Sequence, residues 1–173
     1  PLLERIRAMQ KPVVAAINGM AAGAGCNIAL ACDIILCADD AKFLQAFVNI
    51  ALVPDAGGTW TIPRLIGRAR AMQWMMTGEI IDADTASNWG LVNAVYPADA
   101  LADEAMALAQ RLAAGPTATI GRIKSLLDAA ENNTLTEQLH AERVEQKDCG
   151  MSPNFMEGVS AFMQKRPANF SAD

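Results

Sequence analysis

Asp55 is the charged residue whose setting first suggests chemistry, because the run from Phe47 to Trp60 contains no other charge. A carboxylate among apolar residues loses solvation, which raises its pKa unless a partner compensates, and such acids are candidates for proton transfer. Pro54 fixes its own φ, and Gly57-Gly58 permits a tight turn or a close approach to a ligand. The alternative is that Asp55 is only a turn former or a helix N-cap, since Asp commonly precedes glycines in both roles.

The small residues Gly23-Ala24-Gly25 form a second candidate, before an apolar helical pattern that starts near Asn27. Backbone N–H groups at a helix N-terminus lack intrahelical partners and are reinforced by the helix dipole, so they are able to hold a developing oxyanion. The alternative is that these small residues only permit close packing of the helix. The sequence is not the G-x-G-x-x-G dinucleotide motif, because Ile28 stands where its third glycine would be.

Composition excludes several classes of function. A net charge of −5 without a clustered basic patch argues against nucleic acid. The four cysteines form no C-x-x-C pair and His140 is the only histidine, so we expect no metal site. No serine lies in a G-x-S-x-G motif, which disfavours nucleophilic hydrolysis. Without an apolar membrane span or a leader sequence, we expect a cytoplasmic protein that has no membrane partner.

Strand and helix patterns alternate in the first part of the chain. Apolar positions 2, 3, 6 and 9 predict a helix, and residues 13–17 and 34–38 are short apolar runs typical of strands buried on both faces. A small-residue loop and an apolar helix lie between these two runs. Strand, helix and strand in succession predict a right-handed crossover in an α/β layer structure, followed by a short strand at 42–44.

Helical patterns dominate from residue 59 onward. The spacing Thr134-x-x-Glu137 predicts a capping box at the start of one of them. We predict an α/β part over residues 1–98 and a helical part over residues 99–173. The predicted helices are 62–65, 69–77, 84–89, 101–114, 117–130, 135–149 and 153–164, with one more strand at 91–96.

Three groups of motifs, in this order along the chain, resemble the enoyl-CoA hydratase/isomerase, or crotonase, superfamily. They are Lys11 to Gly19, Ala22 to Cys26 with Cys32-Asp33, and Pro54 to Thr59, followed by Thr77-Gly78-Glu79, Trp89 to Val92 and Glu157 to Phe162. The resemblance covers essentially the whole chain. It implies a crotonase-like ββα spiral core of the ClpP/crotonase type, here its C-terminal part, followed by a helical trimerisation region. Because the chain starts inside a helical pattern without Met, we expect the family's N-terminal third to be missing.

The resemblance implies roles for particular positions. The backbone N–H of Ala24 corresponds to one of two oxyanion-hole donors, and the other comes from an upstream loop. The two glutamates that handle water in hydratases correspond to Asn27 and Phe47, neither of which exchanges a proton, so simple hydration is disfavoured. Asp55 corresponds to the acid of certain isomerases in the superfamily.

The stretch Leu52 to Trp60 is similar to the ring 1,2-epoxyphenylacetyl-CoA isomerase branch of phenylacetate degradation. This similarity predicts an isomerase for an enoyl-CoA or epoxyphenylacetyl-CoA thioester, with Asp55 as proton shuttle. Coenzyme A is part of the substrate and no other cofactor is expected. The predicted substrate-binding residues are Gly23, Gly25, Phe47, Pro54, Trp60 and Lys165.

Other activities remain open from the sequence. One is an enoyl-CoA hydratase, another a dehalogenase-like enzyme with Asp55 as nucleophile, and a third an inactive, truncated CoA-binding or assembly module. The family resemblance also implies a homo-oligomer, either a trimer or a dimer of trimers.

Overall fold

The computed structural model describes residues 2–170, and its chain forms two compact units. The first unit comprises the described residues up to Arg7 together with Val13–Ala107, and the second comprises Ala8–Pro12 together with the described residues from Leu108 onward. The division falls inside a helix, α6 (Leu101–Ala113), rather than in a linker. The domain boundary predicted after residue 98 stays a prediction.

Within the described residues, the strands of the first unit form two three-stranded sheets. The strands are β1 (Val14–Ile17), β2 (Met20–Ala22), β3 (Ile34–Ala38), β4 (Lys42–Leu44), β5 (Ile80–Asp82) and β6 (Ala94–Tyr96). One sheet is parallel and has the order β1-β3-β6. The other has the order β2-β4-β5, in which β4 pairs parallel with β2 and antiparallel with β5. The predicted α/β layer structure is therefore present.

Helices connect these strands. They are α1 (Leu2–Ala8), α2 (Gly23–Leu30), the 3-10 helix Ala46–Ile50, α3 (Gly58–Ile66), α4 (Arg68–Thr77) and α5 (Ala83–Trp89). The predicted ends of α4 and α5 are confirmed, because Gly78 and Gly90 follow them with φ of 60° and 79°. Asp82 caps α5 by accepting a hydrogen bond from the Thr85 N–H. The Thr85 side chain, together with this N–H, holds the pKa of the Asp82 carboxyl below its usual value.

The core of the first unit centres on β3. Its last four residues are buried, as predicted for a strand covered on both faces. The same prediction is wrong for β1, where Ala16 is exposed and only Ile17 is buried. This difference follows from the strand order, since β1 lies at the edge of its sheet and β3 at the centre. The strands β2 and β5 were not predicted, because both form by pairing with β4, a partner that a local pattern does not reveal.

Helices make up the second unit. They are the end of α6, α7 (Thr117–Ala130), α8 (Leu135–Gly150) and α9 (Pro153–Gln164), and the bounds of α7 and α9 match the prediction. The predicted capping box is confirmed, since the Thr134 N–H donates to Glu137 Oε2 at 2.8 Å and the Thr134 hydroxyl caps the Glu137 N–H. None of the helices in the described part of the chain has both the length and the apolar character needed to cross a membrane.

Candidate functional site

The junction between β2 and α2 places Ala24 in the first turn of a helix. The small residues predicted as a loop are helical, because α2 begins at Gly23 directly after β2. Gly23 has a φ of 52°, which favours glycine, and a side chain there would meet the Phe47 ring at 3.6 Å. Because Ala24 lies in the first turn, its N–H has no intrahelical partner. No side chain caps this end of the helix, and Ala24 is half-buried. This end of α2 is able to donate a hydrogen bond to an anion.

Asp55 lies in an exposed segment between the 3-10 helix and α3. Its neighbours Leu52 and Val53 are 58% and 82% exposed, and Asp55 itself is exposed. The expectation that Asp55 loses solvation is therefore wrong for this structure, since adjacent apolar residues do not cover the carboxylate. Left-handed alanines bracket the segment, with φ of 56° at Ala51 and 45° at Ala56.

The main chain of Asp55 forms a turn. Its carbonyl accepts a hydrogen bond from the Gly58 N–H at 3.0 Å, which agrees with the turn interpretation. The helix-cap alternative is wrong, because the N-cap of α3 is Gly57 in a left-handed conformation and no side chain caps this helix. The carboxylate is thus not engaged in holding the helix start.

Asn27 connects α2 with this turn. Its side-chain Nδ2 donates a hydrogen bond to the Asp55 carbonyl at 2.8 Å, and its Oδ1 accepts one from Gln45 Nε2 at 2.9 Å. Asn27 and Gln45 are completely buried. Gln45 was not predicted, although it is the single uncharged polar residue in the run from Lys42 to Phe47 and that isolation was a usable signal.

Two predicted substrate-binding residues have other neighbours in the structure. Phe47 is 8% exposed and lies beside Gly23, so it packs in the interior. Two guanidinium groups lie over the Trp60 ring, with Arg7 at 4.4 Å and Arg64 at 3.9 Å from its centroid. Two cations therefore already contact the Trp60 ring, which was predicted to bind substrate.

The remaining predicted residues differ in exposure. Gly25 is exposed on α2, and Pro54 is half-buried beside Asp55. Lys165 belongs to the second unit, where it is exposed and ends α9 with a left-handed φ of 53°. Its neighbour Arg166 pairs with both carboxylate oxygens of Glu157, so this basic pair offers one side chain, that of Lys165, to an anion.

The buried cysteines are poor nucleophiles. Burial raises the pKa of the Cys26 thiol to about 12, against the opposing influence of the Gln45 side chain, and that of Cys37 to about 11. Within residues 2–170, no three His, Cys, Asp or Glu side chains lie close enough together to hold a metal ion. The chemistry available around α2 is therefore that of backbone N–H donors and the Asp55 carboxylate.

These elements define a class of protein. The chain belongs to the family described as enoyl-CoA hydratase/isomerase, whose model matches residues 1–173. A solved enoyl-CoA hydratase from Polaromonas sp. JS666 superposes with a TM-score of 0.94 at 38% identity, covering 98% of this chain and 66% of that one. The predicted superfamily and its crotonase-like α/β fold are confirmed.

Curated relatives carry different activities within this family. The 1,2-epoxyphenylacetyl-CoA isomerase of Escherichia coli (strain K12) is 46% identical over 171 residues, which are 99% of this chain and 65% of that protein. The 4-chlorobenzoyl coenzyme A dehalogenase-1 of Arthrobacter sp is 34% identical over 95% of this chain and 59% of that protein. The chain thus spans less than two thirds of the length of these relatives, and family membership alone does not fix the reaction.

Proposed function

We propose that this chain carries part of the active site of an acyl-CoA isomerase that acts on an enoyl-CoA or epoxyphenylacetyl-CoA thioester. The observation that carries the proposal is the pairing of an uncapped helix N-terminus at Ala24 with a carboxylate, Asp55, whose turn is hydrogen-bonded to the same helix through Asn27. The 46% identity to an epoxyphenylacetyl-CoA isomerase supports the choice of substrate class.

The proposed reaction is a proton transfer along the acyl group. The Asp55 carboxylate removes a proton from a carbon conjugated to the thioester, and the resulting enolate oxygen accepts a hydrogen bond from the Ala24 N–H. The protonated Asp55 then returns the proton to a different carbon. The double bond is thereby shifted or the ring is isomerised, and the Asp55 carboxylate is regenerated. No cofactor is needed beyond the coenzyme A of the substrate.

The structure suits this role better than hydration. A hydratase needs a group that activates water, and the buried amide of Asn27 and the interior Phe47 at the corresponding positions do not accept a proton at neutral pH. Asp55 is exposed and its side chain does not cap α3, so the carboxylate is accessible for proton transfer.

Replacement of Asp55 tests the proposal. In the full-length protein, Asp55→Asn should lower turnover of 3-enoyl-CoA and of the ring epoxide by about a hundredfold or more, since it removes the base. A matched control is Asp40→Asn, an exposed carboxylate in the turn before β4. Undiminished turnover in Asp55→Asn would refute the proton-shuttle role, and trapping of a covalent acyl-aspartate would favour the dehalogenase-like alternative.

The proposal extends to assembly of copies through the second unit. A groove of about 570 Å³ lies between α7 and α8, and its rim carries exposed apolar side chains such as Ile123, Leu127 and Leu139. Contiguous exposed apolar surface of this kind commonly marks a protein contact. Sedimentation of the full-length protein should give a trimer or hexamer, and a monomer would contradict this part of the proposal.

A further inference from the structure

Two completely buried amide side chains lie between the helix that carries Ala24 and the turn that carries Asp55. They belong to Asn27 on α2 and to Gln45, which directly precedes the 3-10 helix. A buried amide that loses its hydrogen-bond partner is left unsatisfied without water to replace it, so its bonds restrict both the direction and the position of the side chain.

The direction of the hydrogen bonds follows from one group. A main-chain carbonyl only accepts, so Asn27 must turn its Nδ2 toward the Asp55 oxygen, and its Oδ1 must then face Gln45. Gln45 in turn must present Nε2, which donates at 2.9 Å. Gln45 Oε1 is left without a hydrogen-bond partner within the described residues. This is the consequence of directing Gln45 Nε2 at Asn27.

Close packing against Gly58 also restricts the position of the Asn27 side chain. A methyl side chain at position 58 would lie 2.3 Å from Asn27 Nδ2 and 2.7 Å from its Cγ, so only glycine fits there. Gly58 is itself the donor that closes the turn onto the Asp55 carbonyl at 3.0 Å. The Asp55 oxygen thus receives two hydrogen bonds, one from the turn and one from α2.

We infer that Asn27 and Gln45 are positioning residues, which hold the turn from Asp55 to Gly58 at a fixed place relative to the first turn of α2. Asn27 is three residues after Ala24 on the same helix, so one side chain ties the oxyanion donor to the segment that bears the acid. Only the kinetic part of this inference rests on the proposed function, because the mechanical link is measurable without substrate.

Amide hydrogen exchange tests the mechanical link in the full-length protein. In Asn27→Ala, the Gly58 amide should exchange about tenfold faster relative to the amides of Leu36 and Cys37, because the turn that contains it loses its bond to α2. Gln45→Leu should act in the same direction, because it removes the bond that orients Asn27. The matched control is Asn93→Ala, which removes a side-chain bond to the Ile35 N–H of 2.7 Å elsewhere in the unit. Unchanged relative exchange at Gly58 in the Asn27 variant would overturn the inference.

Kinetics distinguish positioning from general stabilisation. Asn27→Ala should lower kcat about tenfold with little change in KM, whereas Asn93→Ala should leave both nearly unchanged. Asn27→Asp keeps the size and the acceptor toward Gln45 but, when ionised, has no donor for the Asp55 carbonyl. Its kcat, as a fraction of the unsubstituted protein's kcat at the same pH, should therefore rise as the pH falls, because protonation restores a donor.

The outcomes separate the two proposals. If Asp55→Asn retains full activity, the proton-shuttle function fails, and the exchange at Gly58 alone decides whether the link exists. If Asp55→Asn is inactive but the relative kcat of Asn27→Asp is flat with pH, the assignment of Asn27 as donor is wrong. Gly58→Ala should reproduce the faster exchange of the turn, measured there at the Thr61 amide, which donates to the Gly57 carbonyl at 2.9 Å. Gly19→Ala, where a methyl group has open space, should not.

Discussion

The two compact units differ in how far they bury their large apolar side chains. In the first, side chains such as Trp74, Phe43 and Leu36 are buried around the sheets and helices. In the second, Ala161 is the hydrophobic residue that is buried within the described part, while Leu127, Leu135 and Phe162 expose more than two thirds of their surface. Large apolar side chains therefore build an interior in the first unit, whereas several of those in the second lie on its surface. A helix surface of this kind is typical of a region completed by contact with another chain.

The largest expected contrast is in stability. Trp74 is completely buried and its Nε1 donates to the Glu79 carbonyl at 2.9 Å, so Trp74→Ala should lower the free energy of unfolding by about 3–5 kcal/mol. Leu139→Ala on α8, at 55% exposure, should change it by less than about 0.5 kcal/mol in dilute protein. Urea unfolding of the full-length protein measures both.

Protein concentration sharpens that contrast. If copies associate through the second unit, the cost of Leu139→Ala should grow with protein concentration, whereas that of Trp74→Ala should not depend on this contact. A large cost for Leu139→Ala at every concentration would break the comparison, because it would mean that the α7–α8 face is an interior within one chain.

Thiol reactivity offers a second contrast between the units. Burial raises the pKa of Cys26 to about 12, while Cys149 in the second unit is half-buried beside the α7–α8 groove. At pH 8 we expect iodoacetamide to label Cys26 at least about a hundredfold more slowly than Cys149, because thiolate is scarce and access is blocked. Peptide mass spectrometry gives the two rates, and equal rates would contradict a closed first unit.

The smallest effect concerns the end of the second unit. The paired Arg166 guanidinium and the Asn169 N–H lower the pKa of Glu157 to about 2, below its usual 4.5. A lowered pKa means that this carboxylate stabilises the fold above pH 4.5 and loses that contribution as the pH falls toward 2. Glu157→Gln should raise exchange of the Asn169 amide about threefold at pH 7. In this variant, the protection of that amide relative to its intrinsic exchange rate should no longer change as the pH falls from 4.5 toward 2.

Glu142→Gln is the control for this last prediction. Glu142 is an exposed acid on α8, and its loss should leave the Asn169 amide unaffected. A similar acceleration in both variants would mean that the C-terminal turn depends on net charge rather than on the bonds to Glu157.

The sequence predicted the elements whose ends are marked by recognisable local residues, such as those of a capping box. The bounds of α7 and α9 were predicted to the residue, and the capping box at Thr134 and Glu137 marked the start of α8. By contrast, β2 and β5 escaped prediction because they exist only through pairing with β4, a partner that a local pattern does not reveal.

The site was likewise predictable in its local backbone features and not in its long-range contacts. A helix start close to the small residues was predicted, although near Asn27 rather than at Gly23, and the turn at Asp55 follows from the glycines after it. The bonds from Asn27 to Gln45 and to Asp55 span 18 and 28 residues, so no local spacing announces them. The exposure of Asp55 also depends on what packs over it in space, and apolar neighbours in sequence were a misleading guide to that packing.

The two left-handed alanines restrict how this protein is able to vary. Ala51 and Ala56 hold φ values of 56° and 45°, a region that a β-branched side chain does not tolerate. In a saturation library, Val, Ile and Thr should be depleted at both positions, while Gly and Asn remain. Glycine relieves the backbone strain of the left-handed conformation but makes the unfolded chain more flexible, and these two effects are of similar size. The backbone conformation of Ala51 and Ala56 therefore limits which sequences are able to form the segment that bears the acid.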